Sequence, residues 1–133
     1  MSDRVHLCLP WPDAKLSPNA RLHWAQRSKA VKRARGQAHA LALTNITQLA
    51  DRWEPFKQAT TEDQIDIRMT FEPPCRRRYD MDNLVARMKS TLDGIADALA
   101  VDDYIFRLER PVMADPYKPG GRVMVTLELR PRP

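Results

Sequence analysis

Three segments of the sequence alternate apolar with polar side chains, and this pattern limits the possible folds more than any other feature. The segments are residues 5–9, 63–71 and 122–130. A period of two places every second side chain on the same face of a β-strand, so each segment is expected to be a half-buried strand. The apolar faces of such strands need a second layer to cover them, which favours a two-layer domain of sheet and helices.

Two longer segments repeat apolar residues at helical spacing. The first covers residues 24–49, and its expected inner face carries Val31, Ala34, Ala38, Leu41 and Leu49. The second begins at about Asp82, and its expected inner face carries Leu84, Met88, Leu92, Ile95 and Leu99. Spacings of three and four residues place these side chains on one side of an α-helix. Residues 53–61, which include Pro55, are expected to be a connector.

The remaining residues complete the order of elements. Residues 104–112 are expected to form a strand, and residues 115–121, with two prolines and two glycines, a hairpin-type connection. Residues 131–133 are expected to be a frayed tail. The order is then β-α-β-α-β-β. The sequence therefore predicts an α/β (α+β) fold, a two-layer domain with a mixed four-stranded sheet and two main helices.

Length and composition are typical of one small domain. The 133 residues are too few for two ordinary domains, and 43% hydrophobic residues can form a compact core. No apolar run is long enough for a transmembrane helix, and no charged-then-apolar leader indicates export. The two cysteines, Cys8 and Cys75, give little reason to expect a disulfide, and Cys8 is expected in the core. A reducing cytoplasm fits these features.

Positive charge is concentrated in the first helix and in the loop before it. The net charge is only +5, but residues 14–50 contain no Asp or Glu. The basic residues of this region are Lys15, Arg21, Arg27, Lys29, Lys32, Arg33 and Arg35. Such clustering is typical of proteins that bind a polyanion, above all a nucleic acid. The alternative is a basic surface helix that only increases solubility.

Carboxylates lie at both ends of the second helix, beside a block of arginines. Residues 76–103 read RRRYDMDNLVARMKSTLDGIADALAVDD. Asp80 lies where the preceding strand ends, Asp82 is expected to be the helix N-cap, and residues 102–103 lie at the entry to the next strand. Mg²⁺ prefers oxygen ligands, and one or two such ions could assist chemistry on a phosphodiester. The alternative is that the aspartates are only a cap and a turn.

The polar side of the second helix has a pattern of its own. At about 100° per residue, Asp82, Lys89 and Asp93 fall on one line, well away from the apolar face. A lysine or arginine beside the carboxylates can neutralise charge that develops on a phosphate. The residue types of this segment therefore favour metal-assisted cleavage or transfer at phosphorus.

Three segments of the chain, taken in order, resemble segments of a known family. They are the run RRRYDMDNL with its helix and Asp-Asp pair, the opening LPWPDAKLSPNARLHW, and the ending KPGGRVMVTLEL. Together they resemble the RusA family of Holliday-junction endonucleases, in its core signature, its N-terminal strand with a basic loop, and its last hairpin. The resemblance runs over nearly the whole chain and implies a single RusA-like endonuclease domain over residues 1–133.

The resemblance implies the metal ligands and the reaction. Asp80 and Asp82 match the family's paired catalytic aspartates, and Asp103 matches its third essential carboxylate. These residues would hold Mg²⁺, or Mn²⁺ in its place. The implied activity is that of a crossover junction endodeoxyribonuclease, which resolves four-way DNA by paired symmetric nicks in recombination and repair. The family also implies a homodimer without a membrane segment or small-molecule cofactor, from a bacterium or a prophage.

The basic groups around the site follow less directly from the resemblance. The position of the family's catalytic lysine is Ala86 here, which is a departure. Lys89, about one helical turn further, is the expected replacement, and Arg87 is the other candidate. The residues expected to hold the DNA backbone are Arg76, Arg77, Arg78, Arg87, Lys15, Arg21, Arg27, Lys29, Lys32 and Arg33.

Two other functions are compatible with the same residues. One is a basic DNA-binding protein without catalytic activity, in which the aspartates are caps and turns. The other is a metal-dependent nuclease that acts on other branched DNA or on single strands. Strand scission that depends on a divalent metal would distinguish an enzyme from the non-catalytic DNA-binding protein. A panel of DNA substrates would distinguish a junction endonuclease from a nuclease that acts on other branched DNA or on single strands.

Overall fold

The strands and helices follow the predicted order, although several elements are divided. The computed structural model describes residues 3–131. Among these, the strands are β1 (Asp3–Pro10), β2 (Asp63–Glu72), β3 (Phe106–Leu108), β4 (Val112–Met113) and β5 (Arg122–Pro131). The helices are α1 (Trp24–Gln48), α2 (Ala50–Lys57), α3 (Met81–Arg87) and α4 (Lys89–Leu99), with 3₁₀ turns at Ala14–Leu16 and Asp103–Ile105. The predicted α+β fold is confirmed. Of the predicted tail, Pro131 ends β5, and Arg132 and Pro133 lie outside the described residues.

The strands form one mixed sheet in the order β1-β5-β2-β3, with β4 also paired to β2. β5 is antiparallel to β1 and β2, whereas β3 and β4 run parallel to β2. The predicted strand 104–112 is divided, which gives five strands where four were predicted. Glu109 N donates to Ile67 O and Ala114 N to Phe71 O, both at 2.8 Å, but Pro111 between them has no N–H to donate.

The sheet and helices meet in one core. The buried hydrophobic residues of the strands are predicted alternating ones, namely Val5, Leu7, Leu9, Ile65, Ile67, Met69, Phe71, Val123, Val125 and Leu127. Leu129, also predicted to face inward, is only partly buried, and Asp66 is buried although the alternation placed it on the polar face. The predicted inner face of the second helix is also confirmed, with Leu84, Met88, Leu92, Ile95 and Leu99 all buried. Cys8 is exposed on the opposite face of β1, so the prediction that it lies in the core was wrong. Side chains alternate along the strand, and its neighbours Leu7 and Leu9 take the inner face.

α1 packs closely on α4 through small residues. The buried residues of α1 are Ala38, Ala42 and Ile46. The predicted inner face had included Leu41 and Leu49, which are 39% and 46% exposed. A Cβ added at Gly94 of α4 would lie 2.3 Å from the Arg35 carbonyl oxygen, so the two backbones approach closely. The direction from which α4 approaches decides which side of α1 is buried. Because α1 has apolar residues on several sides, its sequence alone does not define the buried side.

Residues Ala50–Lys57 form α2, where a connector had been predicted. Trp53 and Phe56 are fully buried, with ring centroids 5.6 Å apart. Trp53 Nε1 also donates a hydrogen bond of 2.7 Å to Asn45 Oδ1 of α1. Burial of two aromatic side chains offsets the cost of Pro55 inside the helix, which is about 3 kcal/mol.

The predicted second helix is divided at Met88 and ends in a left-handed residue. The Met88 N–H bonds to the Val85 carbonyl at 3.0 Å, in the tighter 3₁₀ pattern, before α4 begins. α4 ends at Leu99, and Ala100 then adopts φ 57° and ψ 40°. This conformation reverses the chain direction after the helix and leads to Asp102 and Asp103.

Candidate functional site

Asp80 and Asp82 lie at the start of α3, shortly after the end of β2. Asp80 is the N-cap, and its Oδ1 accepts a hydrogen bond from the Asn83 backbone N–H at 3.3 Å. Asp82 lies in the first turn of the helix, so the prediction that Asp82 is the cap was wrong. Both positions suit an aspartate, because free N–H groups and the positive end of the helix dipole lie there. Both residues are exposed.

Lys89 connects α4 to an aspartate that follows the helix. Its Nζ donates to Asp93 Oδ1 at 3.0 Å and to Asp103 Oδ2 at 3.3 Å. Asp93 lies one helical turn from Lys89, whereas Asp103 returns to it because the chain reverses after α4. Asp102 has a different role, since its Oδ1 accepts the Tyr104 N–H at 2.9 Å and caps the 3₁₀ turn. Only Asp103 of the second acidic pair therefore bonds to Lys89.

The close charges shift two pKa values in opposite directions. The hydrogen bond from Lys89, with the positive charge of its ammonium, lowers the pKa of Asp103 below its usual value. The hydrogen bond to Asp93 raises the pKa of Lys89, and the one to Asp103 adds to the effect. Asp103 is therefore ionised and Lys89 charged at neutral pH. The cluster offers an anionic oxygen beside a fixed cation.

α1 adds an arginine to this cluster. Arg35 binds Asp97 through two hydrogen bonds, from Nε to Oδ2 at 2.6 Å and from Nη2 to Oδ1 at 2.9 Å. The hydrogen bonds lower the pKa of Asp97 and raise that of Arg35. Together the two charged clusters border a cleft of about 310 Å³. Its lining residues are Arg35, Lys89, Asp93, Ala96, Asp97, Val101, Asp102 and Asp103.

Asp93, Asp97 and Arg35 were not predicted as site residues. Asp93 had been placed on the polar line with Lys89, and its spacing of four residues was a usable signal for an ion pair. Arg35 and Asp97 are 62 residues apart in the chain, so no local pattern connects them. Only the packing of α1 on α4 brings this pair together.

A hydrogen-bond network ties the loop before α1 to the start of α3. Asn83 Nδ2 donates to Ser17 Oγ at 2.7 Å. Arg27 Nη1, from the second turn of α1, donates to the Ser17 carbonyl oxygen at 3.0 Å. Because Asn83 follows Asp82 directly, the basic loop and the first pair of aspartates are held in one unit.

The two candidates for the catalytic basic group have different surroundings. Lys89 contacts Asp103, as described, and its side chain is largely exposed. Arg87 Nε instead donates to Asn83 Oδ1 at 3.0 Å. Lys89 is therefore the basic residue that lies beside a predicted metal ligand, and Arg87 is part of the network around Asn83.

The basic residues predicted to bind nucleic acid lie at the surface. The exposed ones are Lys15, Arg21, Lys29, Lys32, Arg33, Arg76, Arg77 and Arg78, and Arg27 and Arg87 are partly buried. In the arginine block, the Arg77 guanidinium lies 4.8 Å from the centre of the Tyr79 ring, and Arg76 is 3.5 Å from Asp115. The first half of α1 and its preceding loop have no acidic neighbours in sequence, and they form the larger basic surface.

The donor chemistry of the three predicted ligands fits Mg²⁺, although they are not gathered at one point. Within residues 3–131, no group of three or more His, Cys, Asp or Glu side chains is arranged to hold a metal. Asp80, Asp82 and Asp103 are all exposed and supply the carboxylate oxygens that Mg²⁺ prefers. To share one ion, the three side chains would have to turn toward one another.

Comparison with known proteins identifies a relative. No family model matches the chain. A protein of Xylella fastidiosa (strain Temecula1 / ATCC 700964), described as an uncharacterized protein, is 43% identical over 121 residues. The match covers 91% of this chain and 74% of that protein. The chain belongs to the same family as this Xylella protein. That description names no activity.

Membrane insertion through a helix finds no support in the described part of the chain. Within residues 3–131, no helix combines the length and the apolar character that crossing a bilayer requires.

Proposed function

We propose that this protein is a Mg²⁺-dependent endonuclease that cuts branched DNA, chiefly four-way junctions, by paired symmetric nicks. One observation carries the proposal: the Lys89 ammonium lies between the carboxylates of Asp93 and Asp103. An ionised carboxylate beside a fixed cation suits a phosphodiester whose charge increases during cleavage. The resemblance of residues 76–103 to the RusA family supports the same reaction. The proposed setting is the cytoplasm of a bacterium, with a bacterial or prophage gene.

Each charged residue has a proposed role. Asp80, Asp82 and Asp103 hold Mg²⁺, or Mn²⁺ in its place. The bound ion supplies charge stabilisation and activation of the attacking water. Lys89 neutralises charge on the phosphate. The raised pKa of Lys89 keeps it protonated at neutral and mildly alkaline pH, which suits this role and not that of a general base.

The exposed basic residues are proposed to bind the DNA backbone. The surface on α1 and its loop includes Lys15, Arg21, Lys29, Lys32 and Arg33, and a second one includes Arg76, Arg77 and Arg78. Phosphate contacts position a protein on DNA without reading its sequence, and they release bound cations. Binding is therefore expected to weaken steeply with salt and to depend on DNA shape more than on base sequence.

A homodimer is the proposed active unit, because a four-way junction is cut on two strands and a two-fold axis provides two sites. The sheet edge formed by β3 and β4 supports this, since Leu108, Val112 and Met113 are exposed there, Leu108 by 50%. Exposed apolar edge strands favour pairing between chains. Leu108→Lys is expected to convert the dimer to a monomer in sedimentation experiments. A wild-type monomer at the concentrations that support cleavage would contradict the dimer.

The test is cleavage of a labelled synthetic four-way junction, with a linear duplex of the same sequence as the control substrate. Asp82→Asn is compared with Asp51→Asn, because both aspartates are exposed and are the second residue of a short helix. Wild type and Asp51→Asn are expected to nick the junction with Mg²⁺ and not with chelator. Asp82→Asn should bind the junction without cleavage. Asp80→Asn should do the same and remain folded, because asparagine is as good an N-cap as aspartate.

The other outcomes favour other functions. Tight junction binding without cleavage, under Mg²⁺ and Mn²⁺ alike, would indicate a non-catalytic basic DNA-binding protein. The hydrogen bonds of Asp80 in the α3 cap and of Asp103 with Lys89 are structural roles that would fit that function. Equal cleavage of flaps or single strands would indicate a metal-dependent nuclease with another substrate. Cleavage by Asp82→Asn at the rate of Asp51→Asn would refute the ligand set.

A further inference from the structure

Trp24, the first residue of α1, is far more exposed than a tryptophan needs to be for packing. Its exposure of 75% is the highest among the exposed large hydrophobic residues in residues 3–131. The other two tryptophans have packing roles: Trp53 is fully buried, and Trp11 makes edge contacts with the rings of Phe71 and Tyr79. Leaving a side chain of this size in contact with water is unfavourable. Because Trp24 is not buried, packing within the folded chain does not account for a tryptophan at this position.

A second aromatic ring lies beside Trp24. The ring centroids of His23 and Trp24 are 5.6 Å apart, with 35° between the ring planes. His23 is held in place as the N-cap of α1, because its Nδ1 accepts a hydrogen bond from the Ala25 N–H at 3.2 Å. The two rings therefore form an exposed aromatic surface of which one member is fixed by the helix cap.

The sequence on both sides of these rings is basic. No Asp or Glu occurs between residues 14 and 50, and Arg21 and Lys29 are exposed on either side of the rings in sequence. An aromatic surface within a basic one is suited to a ligand that is both flat and anionic. Single-stranded nucleic acid has both properties, because its bases stack on aromatic rings and its phosphates are attracted to Lys and Arg.

The same loop is joined to the candidate cleavage site. Ser17 accepts hydrogen bonds from Asn83, which follows Asp82, and from Arg27, which is three residues after Trp24. These hydrogen bonds hold the start of α1 and the start of α3 in a fixed position relative to each other. A base that stacked on Trp24 would therefore lie in a constant position relative to the first pair of aspartates.

We propose that Trp24, with His23, is a stacking site for an unpaired base of a DNA strand at a branch point. The proposal rests on the proposed function, because it assumes that the protein binds branched DNA. It adds a contact that phosphate binding cannot provide: duplex DNA keeps its bases stacked on each other, whereas a branch point can expose one. Trp24 would therefore contribute to the preference for branched over linear DNA.

Binding experiments with labelled DNA test this proposal separately from cleavage. The probes are a four-way junction and a linear duplex, in Ca²⁺ or chelator so that no strand is cut. Trp24→Ala is expected to weaken junction binding by about 10- to 100-fold, the size of one lost base–aromatic contact. Trp24→Phe should retain most of the affinity. Leu43→Ala, an exposed apolar residue of the same helix, is the matched control and should bind as wild type does.

The salt dependence distinguishes stacking from charge. Lys29→Ala should reduce the slope of log affinity against log salt by about 0.9 for a duplex contact. Trp24→Ala should leave that slope unchanged while lowering the affinity. Fluorescence of 2-aminopurine at the branch point should fall on binding of wild type and remain high with Trp24→Ala.

The results separate the two proposals. If wild type binds neither DNA, both the proposed function and the stacking site are wrong. If wild type binds the junction and Trp24→Ala binds as tightly as Leu43→Ala, the stacking site alone is wrong. If Trp24→Phe is as weak as Trp24→Ala although both have the wild-type circular dichroism spectrum, stacking on the ring is also refuted.

Discussion

Gly94 is the position at which the packing of the two main helices can be tested most directly. A Cβ added there would lie 2.3 Å from the Arg35 carbonyl oxygen and 3.0 Å from the Ala38 Cβ. The first of these neighbours is backbone, which cannot turn aside as the end of a flexible side chain can. Gly94→Ala should therefore force α4 and α1 apart by about 1 Å to reach an ordinary contact distance.

The expected magnitude combines a cost and a gain. Overpacking in a close-packed interior costs about 1–3 kcal/mol, and the upper end applies here because the clash is with backbone. Alanine gains about 1 kcal/mol over glycine in helix propensity. The free energy of unfolding should thus fall by about 2 kcal/mol, or roughly 6–8 °C in Tm for a chain of this size.

Gly36 supplies the matched control in the partner helix. It lies in the middle of α1, and a Cβ added there would meet no atom within 4 Å. Gly36→Ala should gain the propensity term alone and stabilise the protein by about 1 kcal/mol. Urea unfolding followed by circular dichroism measures both variants, and an unchanged m-value confirms that the same surface is exposed on unfolding.

Substitution by alanine is therefore expected to lower the free energy of unfolding at Gly94 and to raise it at Gly36. If Gly94→Ala and Gly36→Ala both stabilised the protein by similar amounts, the close approach of α1 and α4 would be refuted. A destabilised Gly94→Ala should also separate Arg35 from Asp97, because their ion pair joins the same two helices. Loss of that pair can be measured as a rise in the pKa of Asp97.

Three further predictions concern the end of α4 and its charged residues. Ala100→Gly should raise the free energy of unfolding by about 0.5–1 kcal/mol in urea titrations, because Ala100 has a left-handed φ of 57° that glycine adopts without strain. The pKa of Asp97 is lowered by its hydrogen bonds with Arg35, so its stabilising contribution should be present above the unfolded pKa of about 4 and disappear as pH falls through the lower folded value. Wild type should accordingly lose more stability than Asp97→Asn between pH 5 and pH 2, and equal losses would contradict the assignment. Lys89→Ala should reduce junction cleavage far more than Arg87→Ala in single-turnover assays, because only Lys89 contacts Asp103; the reverse order would assign the catalytic role to Arg87.

The strand faces were predictable from the sequence because they depend on local geometry. Successive side chains of a strand point to opposite faces, so the alternation in β2 directly predicts that Ile65, Ile67 and Met69 are buried. The inner face of residues 84–99 was predictable for the same kind of reason, since helical spacing defines a side once the helix exists. The division of that helix at Met88 was not, because it depends on one tightened hydrogen bond.

The candidate site was predictable only in part. Lys89 and Asp93 are one helical turn apart, so their ion pair follows from the sequence. The sequence also indicates that Asp80 and Asp82 lie at the start of the helix, although it did not show that Asp80 is the N-cap. Asp103 bonds to Lys89, whereas Asp102 does not. This difference depends on how the chain turns after Ala100. Local pattern identifies the residues of the acidic pair but not which of them faces the cation.

The sequence alone predicted the three long strands, the two main helices and the regions where charge accumulates, because these properties depend on neighbours within a few residues. It did not predict α2 or the division of residues 104–112. The tertiary structure alone decided that Trp53 is buried while Trp24 is exposed, and that Arg35 of α1 pairs with Asp97 of α4. The ion pair depends on how α1 packs on α4, and the burial of Trp53 depends on how α2 packs on α1 and β1. Such close packing joins residues that are far apart in the chain, for which no short stretch of sequence carries a signal.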